Sequence, residues 1–447
     1  MSTRGWCPTL STPMQTGDGL LARLILHEPI AISKLSVLCL AAEAHGNGII
    51  EVTQRGSLQI RGLSESSAPM FAQAVTSLEV GVGGGPPFLT SPLLGLDAYE
   101  PFVSSALAPS LLSVLNAGQR GLESLGPKVS VLIDGGGKLH LDAISADIRL
   151  VAVCDPLGSA QTKRKEVGSQ RGSATQGPLF HLSLAGNAEN ARHLGYVAMD
   201  HAAATVEVLL RMLAGRGSSA RARDLVCESV IQELRRALGG SLIGDLPANS
   251  RYFGDRQKGR GPVARARAPA EPIGTHHLNN GTLALGFALP FGHTTTAVLR
   301  HIAQVAADHG ASSIRPAPGR ALLAIGLSQS AANRLREAVA AKDFVVDPRD
   351  ARRHVIACAG APACASAKLA TRQLAPEVAR ATQGLAGSSR IVHLAGCSKG
   401  CAHPGQAAVT IVGPDRVILN GRASDTPYTT ISSAGLIADI TRLCSDL

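Results

Sequence analysis

The chain has 447 residues, too many for one ordinary hydrophobic core, so two or more domains are expected. Apolar residues make up 45% of it, which excludes wholesale disorder, and aromatics only 3%, which argues against stacking surfaces for single-stranded nucleic acid. The net charge of +10 favours an anionic partner, either a nucleic acid or a polycarboxylate small molecule.

Residues 1–19 carry Cys7, Pro8, Pro13 and the turn Gly17-Asp18-Gly19, and read as an ordered arm. Leu20 to Leu26 predicts a strand and Ile30 to Ala44 a helix, closed by His45-Gly46 with glycine in the left-handed position. Ile49 to Thr53 and Ser57 to Arg61 predict two strands around Arg55-Gly56, completing a β-α-β-β unit of ferredoxin-like type. Gly81 to Pro87 reads as a linker. A helical region is expected from Ser91 to Leu125, with strands at Lys128–Ile133, Leu139–Leu141, Leu150–Cys154 and Leu179–Leu184. Lys163 to Gln176 reads as a polar loop, and Ala202–Leu213 and Ala222–Leu238 as helices. Residues 246–272, rich in Arg, Gly and Pro, are the best nucleic-acid signal in the chain, but the basic run has no pattern of its own and reads first as an exposed, solvated linker, so no nucleic-acid partner is expected.

The first unit then recurs. A shift of 264 residues carries Leu21–Ser64 onto Leu285–Ser328 without a gap: Leu35 falls on Leu299, His45-Gly46 on His309-Gly310, Ile50 on Ile314 and Gly62-Leu63-Ser64 on Gly326-Leu327-Ser328. Such a repeat implies two homologous halves about a pseudo-two-fold axis. The expected boundaries are 12–80 and 273–340 for the ferredoxin-like units, 81–245 and 341–447 for a larger module after each, and 246–272 for the linker. In the last module a helix over Leu369–Ala381, a strand over Arg390–Leu394, a hairpin over Ala407–Val412 and Arg416–Asn420, and a helix over Ser432–Leu443 are expected.

Nine cysteines form no disulfide framework in a chain of this length and suggest a reducing compartment. No secretory leader is visible, and the most apolar run, Leu35 to Ala44, is too short to span a bilayer, so a cytoplasmic location without a membrane partner is expected. Four cysteines fall in two tight pairs, Cys358 with Cys364 and Cys397 with Cys401. Two such pairs meet the ligand requirement of a [4Fe–4S] cluster; a Cys₄ zinc site or four buried structural thiols are the rivals, though five residues inside the first loop count against zinc. No close His/carboxylate triad is visible; His403, near the cysteine pairs, reads either as an iron ligand, should the protein hold a mononuclear iron, or as a turn residue before Pro404 bonded to backbone. No G-x-G-x-x-G follows a strand and opens a helix, so a nicotinamide would act through a separate protein.

C-x₅-C followed by C-x₃-C in the second of two repeated halves resembles the sirohaem-type sulfite and nitrite reductases. Thr53-Gln54-Arg55-Gly56-Ser57-Leu58-Gln59 is similar to their strand-turn motif with an active-site Arg, and Leu125-Gly126-Pro127-Lys128 to the stretch with an active-site Lys. The resemblance covers nearly the whole chain. It implies an α+β fold of two halves, each a ferredoxin-like unit plus a nitrite/sulfite-reductase-type module. It also implies a [4Fe–4S] cluster on Cys358, Cys364, Cys397 and Cys401, with the last bridging to sirohaem iron in the reductases. Two departures stand out: Pro86-Pro87 where reductases carry a further Arg, and Ser130 where they carry a second Lys.

Arg4-Gly5-Trp6-Cys7-Pro8, Pro13-Met14-Gln15-Thr16-Gly17-Asp18-Gly19, Cys358 to Ser366 and Gly396 to Pro404 resemble one branch, the precorrin-3B synthases. That resemblance implies an O₂-dependent monooxygenase acting on precorrin-3A. It would hydroxylate C20 and close a γ-lactone on the aerobic route to cobalamin. A [4Fe–4S] cluster, a mononuclear non-haem iron, and NADH delivered by an electron-donating reductase come with it; sirohaem belongs to the reductase alternative. The macrocycle's carboxylates want Arg and Lys, and Arg55, Arg61, Lys128, Arg320 and Lys399 are the expected substrate-binding residues.

Overall fold

The computed structural model describes residues 8–80, 88–101, 107–117, 122, 124–153, 179–244, 267–385, 387–388, 390–403, 405–430 and 435–445. The chain opens with strands β1 (Met14–Thr16), β2 (Gly19–Leu24) and β3 (Ile30–Ala31), helix α1 (Ile32–His45), strands β4 (Ile49–Val52) and β5 (Leu58–Leu63), and helix α2 (Ser67–Ser77). In α1 the buried residues Ile32, Leu35, Leu38, Cys39 and Ala42 recur at three- and four-residue steps, so one face turns inward. Gly46 does not take the expected left-handed conformation. It is extended (φ −120°, ψ −158°), and glycine is needed because a Cβ there would lie 2.5 Å from the Arg61 carbonyl.

The middle stretch holds β6 (Phe88–Thr90), α3 (Leu107–Ala117), β7 (Val131–Asp134), β8 (Ala146–Val153), β9 (Leu179–Gly186), β10 (Arg192–Ala198), α4 (Met199–Ala214), α5 (Glu228–Leu238) and β11 (Leu242–Ile243). They build a sheet of order β11-β10-β9-β8-β7-β6, parallel across β6, β7 and β8 and antiparallel beyond. Leu139–Leu141, expected as a strand, is a buried loop: the Asp134 carboxylate takes the Leu141 N–H at 2.7 Å, and Arg149 donates to the Leu141 and Ile144 carbonyls. The expected helix over 222–238 is broken, with a 3₁₀ turn at Ala222–Leu225 and α5 beginning only at Glu228. Asp147 accounts for the break, since its carboxylate accepts the Ala222 N–H at 2.9 Å and both arms of Arg221. The expected loop Lys163–Gln176 lies outside the described residues, as does most of the 246–272 linker. Arg267, at the end of that basic run, is neutralised by Asp142 at 2.7 Å and Asp134 at 3.6 Å.

The remainder comprises β12 (Gly274–His277), β13 (Leu283–Ala288), β14 (His293–Thr295), α6 (Thr296–Asp308), β15 (Ser313–Ala317), β16 (Ala321–Leu327), α7 (Gln329–Ala340), β17 (Val355–Ala357), α8 (Thr371–Ala381), β18 (Val392–Ala395), β19 (Ala407–Val412), β20 (Arg416–Gly421), β21 (Thr429–Thr430) and α9 (Leu436–Ser445). The chain divides into two compact units. One centres on β6 to β11 and takes in His277–Gly281; the other holds β1 to β5, Pro272–His276 and β13 to β21.

Within the second unit, two sheets share one plan. Their orders are β1-β2-β5-β4-β14 and β12-β13-β16-β15-β3. Ile50 faces Ile60 across β4 and β5, and Ile314 faces Ala324 across β15 and β16, the same register under the 264-residue shift. Each sheet borrows its last strand from the other stretch: β14 pairs with β4, and β3 with β15. Leu24, Leu35, Leu38 and Ile60 share one core with Phe287, Leu299, Ile302 and Leu322. Gly286 lies in β13, where an added Cβ would stand 1.6 Å from the Pro272 carbonyl oxygen. Gly286→Val is therefore expected to cost about 3 kcal/mol or more, as overpacking against immobile backbone does. A denaturant midpoint matching wild type would contradict this.

The third sheet of this unit runs β17-β18-β19-β20-β21, parallel across the first three strands. Its one face packs Val355, Val392, Leu394 and Val409 with residues of α8 and α9. The opposite face carries Ala395, Val412 and Ile418. Among the described residues, no helix is long and apolar enough to cross a membrane.

Candidate functional site

β17 and β18 are parallel neighbours, so the loops that leave them emerge at one sheet edge. Cys358 follows β17 directly, and Cys397 follows β18 after Gly396. Cys358 donates its N–H to the Leu394 carbonyl at 3.1 Å, and its Sγ accepts the Gly396 N–H at 3.1 Å. Gly360 (φ 67°) is forced by a close approach, since a Cβ would meet Thr371 Oγ1 at 2.4 Å. Burial pushes the Cys401 thiol up, and the neighbouring Cys397, Cys358 and Cys364 add to that.

The four cysteines sit in two neighbouring loops but make no metal site among the described residues. Among the described residues, no group of three or more His, Cys, Asp or Glu side chains is placed to hold a metal ion. This overturns the expected [4Fe–4S] cluster on Cys358, Cys364, Cys397 and Cys401, the expected mononuclear iron, and the metal-binding reading of the motif. The cysteines are free. Cys358 Sγ is engaged by the Gly396 amide and lies 3.7 Å from Thr371 Oγ1. His403, the nearest expected iron ligand, places Nε2 3.0 Å from the Gln406 carbonyl.

The expected substrate residues fall in different settings. Arg61 is 3% exposed and fully engaged. Its Nε and Nη2 fork onto Asp18 at 2.9 and 2.7 Å, Nη1 lies 3.5 Å from Glu51, and Nη2 also donates to the Ala363 carbonyl at 2.6 Å. Ala363 sits inside the Cys358–Cys364 loop, and Gly17 donates to the same carbonyl at 3.2 Å. A Cβ on Gly17 would lie 2.6 Å from the Ala365 nitrogen, so the arm and the cysteine loop are in backbone contact. Burial alone would raise the Asp18 carboxyl; hydrogen bonds from Arg61 and Thr16 outweigh it and hold the group below the ordinary carboxylate range.

Arg55 is exposed in the β4–β5 turn, bridged to Pro318. Lys399 is exposed beside Cys401 and donates to Ser366 Oγ at 2.9 Å. Arg320 is half-buried in a left-handed conformation (φ 62°), and no side-chain hydrogen bond or ion pair of it is found among the described residues. Burial pushes it down to about 10, against the opposing pull of Glu51. Lys128 belongs to the other compact unit, in an exposed turn. Two residues on, Ser130 is buried and gives its N–H and hydroxyl to Asp147 at 3.0 and 3.3 Å, a setting that has no room for a lysine.

Reading the sequence missed Glu51, Arg372 and His393. Glu51 pairs with Arg372 as well as Arg61, tying β4 to α8 just past the first cysteine loop. His393 is wholly buried on β18, and neither ring nitrogen has a hydrogen-bond partner among the described residues. Burial, then His403 and Arg320, push it down to about 4. A polar residue alternating with Val392 and Leu394 was the only signal available for it.

No family model matches the chain. In the solved structure of the Mycobacterium tuberculosis NirA protein the same fold is found, with a TM-score of 0.72 at 18% identity, covering 96% of this chain and 80% of that one. A ferredoxin–nitrite reductase of Synechococcus elongatus is 24% identical over 428 residues, 91% of this chain and 78% of its own length. The fold is thus that of the sirohaem-type nitrite and sulfite reductase superfamily. A precorrin-3B synthase of Sinorhizobium sp. is 34% identical over 444 residues, 98% of this chain and 88% of the relative. The chain belongs to the precorrin-3B synthase family.

Proposed function

We propose that this protein is an O₂-dependent monooxygenase that hydroxylates precorrin-3A at C20 and closes a γ-lactone from the ring A acetate. One oxygen atom enters the product. The other leaves as water with two electrons and two protons, which a partner reductase supplies from NADH. The observation that carries this reading is the similarity to a precorrin-3B synthase along 98% of the chain. Ser130 supports it from the chain itself. A buried serine bonded to Asp147, where the reductases have lysine, removes a cation that a small oxyanion would need.

On this reading Arg55, Arg320, Lys128 and Lys399 meet substrate carboxylates, while Arg61 positions the Cys358–Cys364 loop through Ala363. The matching sheet plans and register favour a duplication, with ferredoxin-like half-domains at 12–80 and 273–340, larger modules at 81–245 and 341–447, and a pseudo-two-fold axis. The test is turnover of precorrin-3A with a reductant, first without O₂ and then with it. A product heavier by one oxygen, formed only with O₂ and labelled by ¹⁸O₂, is expected. An unlabelled product, or nitrite or sulfite consumed in place of O₂, would refute the reading.

A further inference from the structure

The loop that leaves β7 closes on one arginine at the end of the basic linker. Asp134 is wholly buried, and the N–H groups of Gly136 and Leu141 orient its carboxylate at 2.8 and 2.7 Å. Asp142 has His140 Nδ1 3.2 Å from its carboxylate. Arg149, 1% exposed, braces the same loop through the Leu141 and Ile144 carbonyls. Into this socket comes Arg267. Its Nε and Nη2 fork onto Asp142 at 2.8 and 2.7 Å, Nη2 lies 3.6 Å from Asp134, and Nη1 donates to the Gly136 carbonyl at 3.1 Å. The next residue is gripped as well. His140 Nε2 stands 2.9 Å from the Ala268 carbonyl and, since a carbonyl only accepts, donates to it.

The hydrogen bonds that orient Asp134 come from its own loop, so the socket keeps its shape when Arg267 leaves. Ala268 and Pro269 are exposed, so the stretch after Arg267 is held by these polar contacts and not by packing. A segment held in this way opens and recloses locally, without unfolding its neighbours. We infer that the loop from Asp134 to Asp142 is an arginine receptor. Arg267 is its latch, fastening the linker's end to the unit of β6 to β11 before the chain enters the other unit at Pro272. What the receptor recognises is a guanidinium: two carboxylates and a carbonyl answer its fork, and an ammonium would bring the charge without the geometry. The inference does not rest on the function proposed above.

Trypsin tests the latch in the full-length protein, because cleavage after Arg267 needs that side chain out of its socket and into the protease. The cut is read by mass spectrometry as a fragment beginning at Ala268. Asp142→Asn removes the charge and leaves one acceptor for the fork. This variant is expected to be cut at the Arg267–Ala268 bond about tenfold or more faster than wild type, the weight of one charged hydrogen-bonded contact. Cleavage at other sites should keep its wild-type rate. Equal rates at this bond in the two proteins overturn the inference, and so does an acceleration at every site alike, which would be unfolding and not release. Should Asp142→Asn not fold, Arg267→Ala decides by chemical rescue. Ethylguanidinium is expected to raise its melting temperature where ethylammonium at the same concentration does not, while wild type responds to neither. Equal responses to the two cations overturn the inference.

Discussion

Arg61→Met is expected to destabilise the unit that carries the cysteine loops by about 3–5 kcal/mol, the range for breaking a buried ion pair from one side. The cost lies in what remains. Asp18 and Glu51 would keep their charges in a setting where Arg61 is 3% exposed and water cannot replace it. The Ala363 carbonyl would also lose its donor. Lysine should recover only part of the loss, because one ammonium cannot fork onto Asp18 and also reach Ala363. Removing both partners, as in Arg61→Met with Asp18→Asn, should cost less than the sum of the single changes. Denaturant titration measures all three. An Arg61→Met protein within about 1 kcal/mol of wild type would show that this network does not hold the arm to the loop.

Acid should weaken the fold well above the carboxylate range. An unfolded imidazole titrates near 6.5, whereas burial pushes His27 and His393 down to about 4 and His181 to about 3. Below pH 6.5 the unfolded chain therefore binds protons that the folded chain does not, so stability falls as pH falls. The loss continues until the folded values are reached. From pH 7 to pH 5 each imidazole contributes about 2 kcal/mol. His27 and His393 lie in one compact unit and His181 in the other, so the first should lose about twice as much from these groups. Asp18, Asp142 and Asp147, all held low, act in the same direction but only as pH drops through their depressed values, below 3.8. Urea midpoints at pH 7 and pH 5 give the measurement, with His181→Phe as the control expected to flatten the response of its own unit. A midpoint unchanged between these pH values would mean that these imidazoles are not held neutral.

Much of the architecture was readable from local pattern. The helices α1, α4 and α8 and the strands β4, β5, β9 and β19 follow from apolar spacing and turn residues, because those forces act within a few residues of chain. The 264-residue match between Leu21–Ser64 and Leu285–Ser328 is a signal of the same local kind, because it consists of apolar spacing and turn residues. The exchange of β14 and β3 between the two sheets was not, because strand pairing across hundreds of residues leaves no mark on either short segment.

The site divides along the same line. Residue type and spacing put Cys358, Cys364, Cys397 and Cys401 beside one another, and the ends of β17 and β18 do bring their loops to one edge. Spacing does not set where a thiol points. In the folded chain Cys358 Sγ takes the Gly396 amide, and no metal-holding group forms among the described residues. An arginine near a strand end likewise reads the same whether it faces a ligand or a carboxylate. Tertiary structure alone separated Arg61, closed on Asp18 and Glu51, from Arg320, for which no side-chain hydrogen bond or ion pair is found among the described residues. A charge's role depends on what desolvates it and what it meets, and both come from parts of the chain far from it in sequence.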